Sequence, residues 1–509
     1  MAIAADLVRR GAARYADRTA VLSGDESLTY REVDEAANRI AGFLAAHGLG
    51  KGARIGLLVG NGLWSVPLDF ACIKGGLVRV PLNARLSVPE HERMLRDTGV
   101  AWLVHAPELT SVAEELLGRV DGLSAIGLGA SGAGGGPDLL AEAAALAPTD
   151  PAVPLQADDP MLLIFTSGTT GRLKAATHTQ GSWAAIATNI LANLVDPGRD
   201  SVMLHAASLI HASGTFVLPY WLRGGASAVL PGFEPREFMA AIERWSVTEI
   251  NLVPTMLGML FSTGVATSGD VSSLRTVVYG ASPMPRPLIE EAMKAWGPIF
   301  VQYYGQTEAP LCLTVLDKED HLDETLLGSC GHPSVDVEVR LVAEDGGPLG
   351  AGEIGELWIR APFQMSGYHE APELNAEMLT PDGWIRTRDM GRADERGYLY
   401  LVDRRSDMIV TGGYNVYPRE VEDALATHPA VAECAVVGAP DETWVEAVTA
   451  FVTLRPGASA TEDELRAVCR ERLAGYKVPK RVVFADSLPK SAVGKILRRA
   501  LRDPLWEGR

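Results

Sequence analysis

Apolar residues follow two periods along the first half of the chain, one typical of helices and one typical of buried strands. Helical spacing covers 34–47 and 64–72, and short continuous apolar runs cover 54–59, 161–165 and 277–279. Helical segments that alternate with short buried runs predict parallel sheets covered on both faces by helices. No sequence repeat interrupts this alternation, so a solenoid or a propeller is not indicated.

The pattern changes near residue 328. Short β-like runs broken by glycine, at 335–342 and 355–359, predict a small antiparallel or barrel element. Helical spacing and strand-like runs then alternate beyond residue 401, at 421–426, 432–437, 448–454 and 462–473. This second alternation predicts a compact α+β module of about 100 residues, a usual domain size.

A charged segment at 403–406 separates the two regions and marks the main domain boundary. We therefore predict an N-terminal domain of residues 1–404 and a C-terminal domain of residues 405–509. The total of 509 residues is long enough to bury a sizeable core without metal or disulfide support.

Two further segments have local patterns of their own. The first fifteen residues have an amphipathic helical pattern, and no apolar stretch follows Arg9 and Arg10 as it would in a secretion signal. The glycine-dense segment 130–137 has no charged or aromatic neighbour, and we predict a flexible surface loop there.

Composition excludes several classes of partner. Lys and Arg total 46 and Asp and Glu total 64, a net charge of −18, which disfavours nucleic acid and anionic membrane surfaces. No apolar run is long enough for a membrane span. The five cysteines are odd in number and lack a CxxC pair, which favours reduced thiols in the cytoplasm over disulfides or a zinc site.

The strongest local motif follows the apolar run 161–165. It contains two glycines and four hydroxyl residues and closes with Lys174. Glycine lets backbone N–H groups approach an anion, hydroxyls add short donors, and lysine adds charge, so the loop is suited to phosphate. Its spacing is not that of a Walker A loop.

Four other segments carry candidate chemistry. A hydroxyl and a carboxylate stand together at Thr307 and Glu308, a pair able to hold Mg²⁺ and to place a donor on phosphate. The others are Trp384-Ile-Arg-Thr-Arg-Asp389, the charged and glycine-containing run 403–418, and Leu488-Pro-Lys-Ser-Ala-Val-Gly-Lys495. Each of these alone is also compatible with an ordinary surface loop.

In this order the five motifs resemble the adenylate-forming superfamily of acyl-CoA synthetases, peptide-synthetase adenylation domains and luciferases. The resemblance implies an α/β fold with a large N-terminal domain of doubly wound sheets, a small barrel, and a mobile, smaller α+β C-terminal domain that carries the catalytic lysine. It also implies ATP, Mg²⁺ and coenzyme A as cofactors.

The resemblance assigns roles by position. It implies that Tyr304 lies against adenine, Thr307 contacts the α-phosphate, Glu308 binds magnesium, Asp389 binds ribose and Lys495 bridges carboxylate and α-phosphate. The implied ATP-binding set is Thr166, Ser167, Gly168, Thr169, Thr170, Gly171, Lys174, Gly280, Ala281, Ser282, Tyr304, Thr307, Asp389, Arg404 and Lys495. The implied catalytic residues are Lys495, Thr307, Glu308 and the gate residue His211, and Ser406 stands at the implied hinge.

Two positions depart from the family pattern near the nucleotide. Leu173 replaces a proline of the phosphate loop, and Arg388 replaces a glycine before Asp389. The second change puts the local backbone shape in question, because glycine tolerates conformations that other residues avoid.

The implied acyl pocket is mainly apolar and consists of His211, Thr215, Phe216, Leu218, Tyr279, Ala281, Tyr303, Ala309 and Leu311. No acidic residue follows His211 to pair with an α-ammonium group, and no arginine precedes Tyr304 to pair with a second carboxylate. We therefore expect a hydrophobic aliphatic or aryl acid.

For the thiol, the resemblance favours coenzyme A, at Arg85, Gly412, Gly413, Trp444, Tyr476 and Lys480. The expected activity is an ATP-dependent acid–CoA ligase that acts through an acyl-adenylate. Loading of a carrier protein, a luciferase-like monooxygenase and a non-catalytic relative stay open as alternatives, as does monomer against homodimer.

Overall fold

The computed structural model describes residues 2–167, 173–210, 212–347, 349–404, 407–411, 414–441, 443–491 and 495–507. Its helices are, in chain order, α1 (Ala4–Tyr15), α2 (Tyr30–Ala46), α3 (Ser65–Gly75), α4 (Val88–Thr98), α5 (Thr110–Arg119), α6 (Leu139–Ala144), α7 (Gln180–Asn193), α8 (Val217–Arg223), α9 (Pro235–Arg244), α10 (Pro254–Ser262), α11 (Arg286–Trp296), α12 (Pro372–Met378), α13 (Pro418–Ala426), α14 (Glu462–Arg472) and α15 (Arg498–Trp506).

The strands are β1 (Thr19–Ser23), β2 (Glu26–Thr29), β3 (Arg54–Leu58), β4 (Val78–Pro81), β5 (Trp102–His105), β6 (Ser124–Gly127), β7 (Pro160–Ser167), β8 (Leu173–Thr179), β9 (Val202–His205), β10 (Ala226–Val229), β11 (Glu249–Leu252), β12 (Thr276–Gly280), β13 (Phe300–Gln306), β14 (Ala309–Leu316), β15 (His332–Pro333), β16 (Glu338–Val342), β17 (Gly355–Arg360), β18 (Gly367–Tyr368), β19 (Ile385–Ala393), β20 (Leu399–Arg404), β21 (Ile409–Thr411), β22 (Tyr414–Val416), β23 (Val431–Asp441), β24 (Val445–Leu454) and β25 (Arg481–Phe484).

Two large sheets form most of the molecule and confirm the predicted α/β class. A nine-stranded sheet has the order β15-β14-β13-β12-β11-β9-β10-β1-β2, and a seven-stranded sheet has the order β18-β8-β7-β4-β3-β5-β6. Neighbours from β13 to β1 pair in parallel, as do those from β7 to β6. Antiparallel pairing occurs at both ends of the nine-stranded sheet but only at the β18-β8-β7 end of the seven-stranded sheet. The antiparallel pair β7–β8 carries the phosphate-loop lysine, Lys174. The antiparallel pair β13–β14 carries the segment Tyr304–Glu308.

The smaller element between the two regions is an antiparallel sheet of order β16-β17-β19-β20. In the part of the chain that the structure describes, this sheet is open, so the antiparallel alternative holds and the barrel alternative does not. The next strand along the chain, β21, belongs to a five-stranded sheet built from β21 to β25. The predicted domain boundary at residue 404 lies between these two sheets and stays a prediction.

The N-terminal amphipathic pattern forms α1, as predicted, and its buried face packs on α8. The Trp221 indole Nε1 donates to the Val8 carbonyl at 2.8 Å. A Cβ at Gly11 would lie 2.1 Å from that indole nitrogen, so only glycine allows the two helices to approach this closely. The following helix α2 begins with a capping box between Thr29 and Glu32, which satisfies N–H groups at its start.

The prediction of a flexible surface loop at 130–137 is wrong. Gly132 and Gly136 exchange backbone hydrogen bonds, and the Ala133 N–H donates to the buried His105 ring at 2.9 Å. A Cβ on Gly136 would lie 2.0 Å from the Ala125 carbonyl oxygen. The glycines therefore serve close packing of a turn against β6, a use that composition alone does not distinguish from flexibility.

No helix within the described ranges is long and apolar enough to cross a membrane.

Candidate active site

The segment Tyr303–Glu308 lies at the turn of the β13–β14 hairpin, against the strand that carries Asp389. The Tyr304 hydroxyl donates to Asp389 Oδ2 at 2.5 Å, and both side chains are buried. Burial raises the pKa of Tyr304 well above its ordinary value, so this hydroxyl stays protonated as a donor. Two segments that are 85 residues apart in the sequence thus meet at one carboxylate.

Gln306 also hydrogen-bonds the Asp389 carboxylate, and it is not among the predicted site residues. Its Nε2 donates to the Thr387 carbonyl at 3.1 Å and to Asp389 Oδ2. The Asp389 N–H donates to Thr387 Oγ1 at 3.1 Å. The two donors on Oδ2, from Tyr304 and Gln306, hold the Asp389 carboxylate in one orientation.

Tyr368 links the other two chemical motifs and was also missed. It lies on β18, which pairs with β8, the strand of Lys174. Its hydroxyl donates to Glu308 Oε1, and Lys174 Nζ lies 5.9 Å from the centre of its ring. No local sequence signal marks a tyrosine in this role, because its partners are distant in the chain.

Lys174 lies in a mixed electrostatic environment. Burial, followed by the charge of Arg388, lowers the pKa of Lys174, and the carboxylates of Glu377 and Glu308 oppose that effect. Lys174 and Glu308 therefore interact electrostatically across the site.

Arg388 adopts the left-handed backbone region that glycine favours, with φ of 61°. Its N–H donates to Glu356 Oε1 at 3.0 Å, and its guanidinium pairs with Glu377 Oε1 at 2.5 Å. The backbone shape expected of glycine is therefore kept despite the substitution, and Asp389 stays in its buried position.

His178 joins the lysine-bearing strand to the Thr307 turn. Its Nε2–H donates to the Thr307 carbonyl at 2.8 Å, and burial lowers the pKa of His178 to about 4. A neutral, buried ring in this position fixes the backbone beside the predicted α-phosphate contact.

One carboxylate, Glu308, is the predicted magnesium ligand. Among the described residues, no group of three or more His, Cys, Asp or Glu side chains is arranged to hold a metal ion. A single carboxylate fits Mg²⁺ that arrives with nucleotide phosphates, because Mg²⁺ commonly takes one or two carboxylates and completes its shell with phosphate oxygens and water.

Four residues of the predicted acyl pocket lie in one buried cluster: Phe216, and Tyr303, Ala309 and Leu311 of the β13–β14 hairpin. Thr215 is also buried, with its hydroxyl bonded to the Ala212 carbonyl at 2.6 Å.

Tyr279 is a correction to the predicted pocket. Its side chain belongs to a different cluster, with its hydroxyl at 2.8 Å from His321 Nε2. Side chains alternate across a strand, so Val278 points to the acyl cluster and Tyr279 to the opposite face. Leu218 likewise packs in a separate cluster.

The end of β12 provides Gly280, followed by Ala281 and Ser282. Ala281 is exposed and has φ of 67°. A non-glycine residue in the left-handed region is uncommon and clusters at ligand sites, which agrees with the predicted role of this segment as a pocket wall.

The structure places the predicted coenzyme A contacts on the C-terminal sheet and on a separate loop. Lys480 Nζ lies 4.9 Å from the centre of the Trp444 ring, and Tyr476 stacks on Tyr414 with ring centres 4.6 Å apart. Arg85 is exposed before α4. The pairs Trp444–Lys480 and Tyr414–Tyr476 offer aromatic and cationic surface, and Tyr414 was not predicted.

Lys495 is exposed; its N–H donates to the Ser491 hydroxyl at 3.2 Å, and its carbonyl accepts from the Ser491 N–H at 2.7 Å. Several predicted positions lie outside the described residues: Gly168, Thr169, Thr170, Gly171, His211, Ser406, Gly412 and Gly413. The side chains of Ser167 and Arg404 are likewise not described.

Comparison with known proteins decides the family. The sequence pattern of AMP-binding enzymes matches residues 8–369, and that of the AMP-binding enzyme C-terminal domain matches residues 420–495. The chain belongs to the AMP-binding enzyme family. The predicted membership of the adenylate-forming superfamily is thereby confirmed.

Similar proteins cover nearly the whole chain. A medium/long-chain-fatty-acid–CoA ligase of Mycobacterium tuberculosis is 38% identical over 97% of this chain and 89% of its own length. A feruloyl-CoA synthase of an Amycolatopsis species is 40% identical over 95% of each chain. The solved structure of an amide bond synthetase from Marinactinospora thermotolerans covers 99% of this chain and 100% of its own, with 31% identity and a TM-score of 0.90.

Proposed function

We propose that this protein is an ATP-dependent carboxylic acid–CoA ligase that forms an acyl-adenylate and releases AMP and pyrophosphate. The observation that carries the proposal is the joining of Tyr304, Asp389, Glu308, Tyr368 and Lys174 into one site. Full-length similarity to acyl-CoA ligases at 38–40% identity supports the same class of activity.

In the first half-reaction a carboxylate oxygen attacks the α-phosphorus of ATP and the bond to pyrophosphate breaks. Both reactants are anionic, so the barrier is mainly electrostatic, and positive charge with fixed donors lowers it more than a general base does. Asp389 holds the ribose, Thr307 donates to the α-phosphate, and Lys174 stabilises the phosphates. When Mg²⁺ is bound, it adds positive charge beside the phosphates, and Glu308 is the residue that would hold it.

Lys495 completes the cationic surroundings of the reacting carboxylate during adenylation. In the second half-reaction the thiol of coenzyme A attacks the acyl-adenylate carbonyl, and AMP leaves. Because Lys495 and the thiol need the same space, we propose that the C-terminal domain rotates between the two steps, with Ser406 assigned as the hinge and Gly412 and Gly413 assigned to coenzyme A binding. Arg404 contacts the nucleotide in this assignment, and the Trp444–Lys480 pair and Tyr476 contact coenzyme A.

The acid is a hydrophobic aliphatic or aryl acid. The buried cluster of Phe216, Tyr303, Ala309 and Leu311 offers apolar surface to the acyl group. A buried ammonium or second carboxylate would need an opposite charge, and none of these four residues is charged. His211 is assigned as the gate residue of the acyl pocket.

The decisive experiment measures pyrophosphate exchange across a panel of acids and then thioester formation after coenzyme A is added. We expect exchange only with acids of the stated class and a CoA thioester as the product. Exchange without a CoA thioester, but with loading of a carrier protein, would favour the carrier-protein alternative. Light emission or oxygen consumption would favour a monooxygenase, and no exchange with any acid would refute the proposal.

A pair of lysine variants tests the domain rotation. Lys495→Ala should lose adenylation but keep thioester formation from supplied acyl-adenylate. Lys490→Ala is the matched control, because Lys490 belongs to the same motif, 488–495, and pairs with Glu433 at 2.7 Å. Equal loss of both half-reactions in Lys495→Ala would remove the assigned role.

A further inference from the structure

Tyr368, whose hydroxyl donates to Glu308, is held at its backbone by an asparagine of α12. Asn375 Nδ2 donates to the Tyr368 carbonyl at 2.9 Å, and the Tyr368 N–H donates to Asn375 Oδ1 at 2.7 Å. One side-chain amide therefore satisfies both backbone groups of this tyrosine. A carboxylate in its place could accept from the N–H but could not donate to the carbonyl.

The position of Tyr368 at the end of a sheet explains why this contact matters. β18 is the end strand of the seven-stranded sheet and pairs with β8. The N–H of His369 donates to the Ala175 carbonyl of β8 at 2.8 Å, whereas the N–H of Tyr368 bonds Asn375. Backbone groups on the open side of an end strand have no neighbouring strand to bond them. Asn375 bonds them instead, and so fixes this two-residue strand from its open side.

Gly367 allows the amide of Asn375 to lie this close to the strand. A Cβ at Gly367 would lie 3.1 Å from Asn375 Nδ2 and 3.2 Å from its Oδ1, closer than ordinary van der Waals contact. Gly367 also has φ of 145°, a backbone conformation that favours glycine. A side chain at this position would therefore displace the amide from the Tyr368 backbone.

The backbone of β18 determines where the Tyr368 hydroxyl lies. Two side-chain torsions separate a tyrosine hydroxyl from the backbone, and the first of them occupies discrete wells. The Tyr368 side chain is also buried, so the surrounding residues restrict its ring. A shift of the β18 backbone would therefore move the hydroxyl away from the Glu308 carboxylate that it bonds.

We propose that Asn375 is a positioning residue for the MgATP site, because it holds the Tyr368 backbone and thereby keeps the tyrosine hydroxyl on Glu308. This inference rests on the proposed ligase function and extends it to a residue that acts through Tyr368. Asn375 is not among the predicted site residues.

Gln364 offers a matched control in the same part of the chain. Its Oε1 accepts from the Ala361 N–H at 3.0 Å, and its Nε2 donates to the Gly383 carbonyl at 3.0 Å. It therefore makes the same kind of amide bridge between backbone groups, but neither partner belongs to the predicted site. Gln364→Ala should lower thermal stability about as much as Asn375→Ala does, and it should leave the KM for MgATP unchanged.

The test measures the KM for MgATP in pyrophosphate exchange for a set of variants. Asn375→Ala should raise this KM by about three- to tenfold, and no further than Tyr368→Phe does. The double variant with both substitutions should have the KM of Tyr368→Phe within about twofold, because Asn375 acts through that hydroxyl. Thioester formation from supplied acyl-adenylate should stay at the wild-type rate, since this step needs no MgATP. If Asn375→Ala does not fold, Asn375→Asp loses only one of the two bonds and should give a smaller rise.

Hydrogen exchange of the unliganded protein gives a second readout, independent of activity. The Tyr368 amide should exchange faster in Asn375→Ala than in the wild type, and no faster in Gln364→Ala. An unchanged rate at Tyr368 would contradict the contact on which the inference depends.

Three kinetic results would overturn the inference and leave the ligase function standing. They are an unchanged KM in Asn375→Ala, KM increases that multiply in the double variant, and an equal loss of both half-reactions. Absence of pyrophosphate exchange with any acid in the wild type would instead refute the ligase function, and this inference with it.

Discussion

Arg498 offers the sharpest test of how the C-terminal part of the chain is held. Its guanidinium donates to Asp403 Oδ1 at 2.8 Å, to Asp407 Oδ2 at 3.2 Å and to both oxygens of Glu422 at 3.0 and 2.6 Å. Asp403 lies on β20 of the four-stranded sheet, whereas Glu422 lies on α13 beside the five-stranded sheet. One arginine therefore ties together carboxylates on both sides of the proposed domain boundary.

The size of the effect follows from burial. The side chains of Arg498, Asp403 and Glu422 are 21%, 4% and 14% exposed. Removing one partner of a buried ion pair costs about 3–5 kcal/mol, because the remaining charges are left desolvated and uncompensated. Here three carboxylates would face one another, and the partial exposure of Arg498 places the expected loss of stability near the lower end, about 3 kcal/mol.

The assay is urea denaturation of the full chain, combined with hydrogen exchange to follow residues 407–507 separately. Arg498→Gln should lower the free energy of unfolding of this region and increase its exchange. Arg499→Gln is the control, since Arg499 is 48% exposed and pairs with Asp503 on the same helix at 2.7 Å. Such surface pairs contribute about 0–1 kcal/mol.

The reasoning would be refuted if the two variants lost the same stability. A loss confined to the N-terminal sheets would also contradict it, because the Arg498 network would then not support the region in which it lies. Lys495 is three residues from Arg498, so adenylation should weaken together with this region in Arg498→Gln.

Three other predictions address the site. Tyr368→Phe removes the hydroxyl that donates to Glu308. The KM for MgATP should then rise about tenfold, since hydrogen bonds to charged groups contribute about 1.5–3 kcal/mol. The control is Tyr398→Phe, which loses a similar bond to Asp320 and should leave the KM for MgATP unchanged. Arg388→Gly should keep activity and change stability by less than about 1 kcal/mol, whereas Arg388→Val should lower Tm, because a β-branched residue is strained at a φ of 61°. The pKa of His178 is lowered to about 4 by burial, so between about pH 6.5 and pH 4 the unfolded chain binds the additional proton. Stability should therefore fall as pH drops through this window, by up to about 1.4 kcal/mol per pH unit, and His178→Gln should show a shallower fall in denaturation at each pH. An unchanged slope in that variant would show that His178 does not titrate as described.

The wrong predictions have specific physical causes. The composition of 130–137 predicts a flexible loop, but a glycine-rich composition is common to mobile loops and to tightly packed turns. Only the position of the Ala125 carbonyl distinguishes the two here. The resemblance implies Tyr279 as an acyl-pocket residue, but a one-residue step along a strand reverses the face, and Val278 is the residue of β12 that faces the acyl cluster. The open four-stranded sheet differs from a barrel only in whether its end strands meet, which no local pattern specifies.

The sequence by itself determined the alternation of helices and strands, the C-terminal α+β module and the chemical identity of the motifs, since these depend on residues close together in the chain. The tertiary structure alone decided which side chains meet: Tyr368 with Glu308, and Gln306 with Asp389. Such contacts join residues tens of positions apart, and they depend on strand register and on the direction of each side chain. Local periodicity fixes neither of these over such separations, so the contacts become visible only when the sheets are assembled.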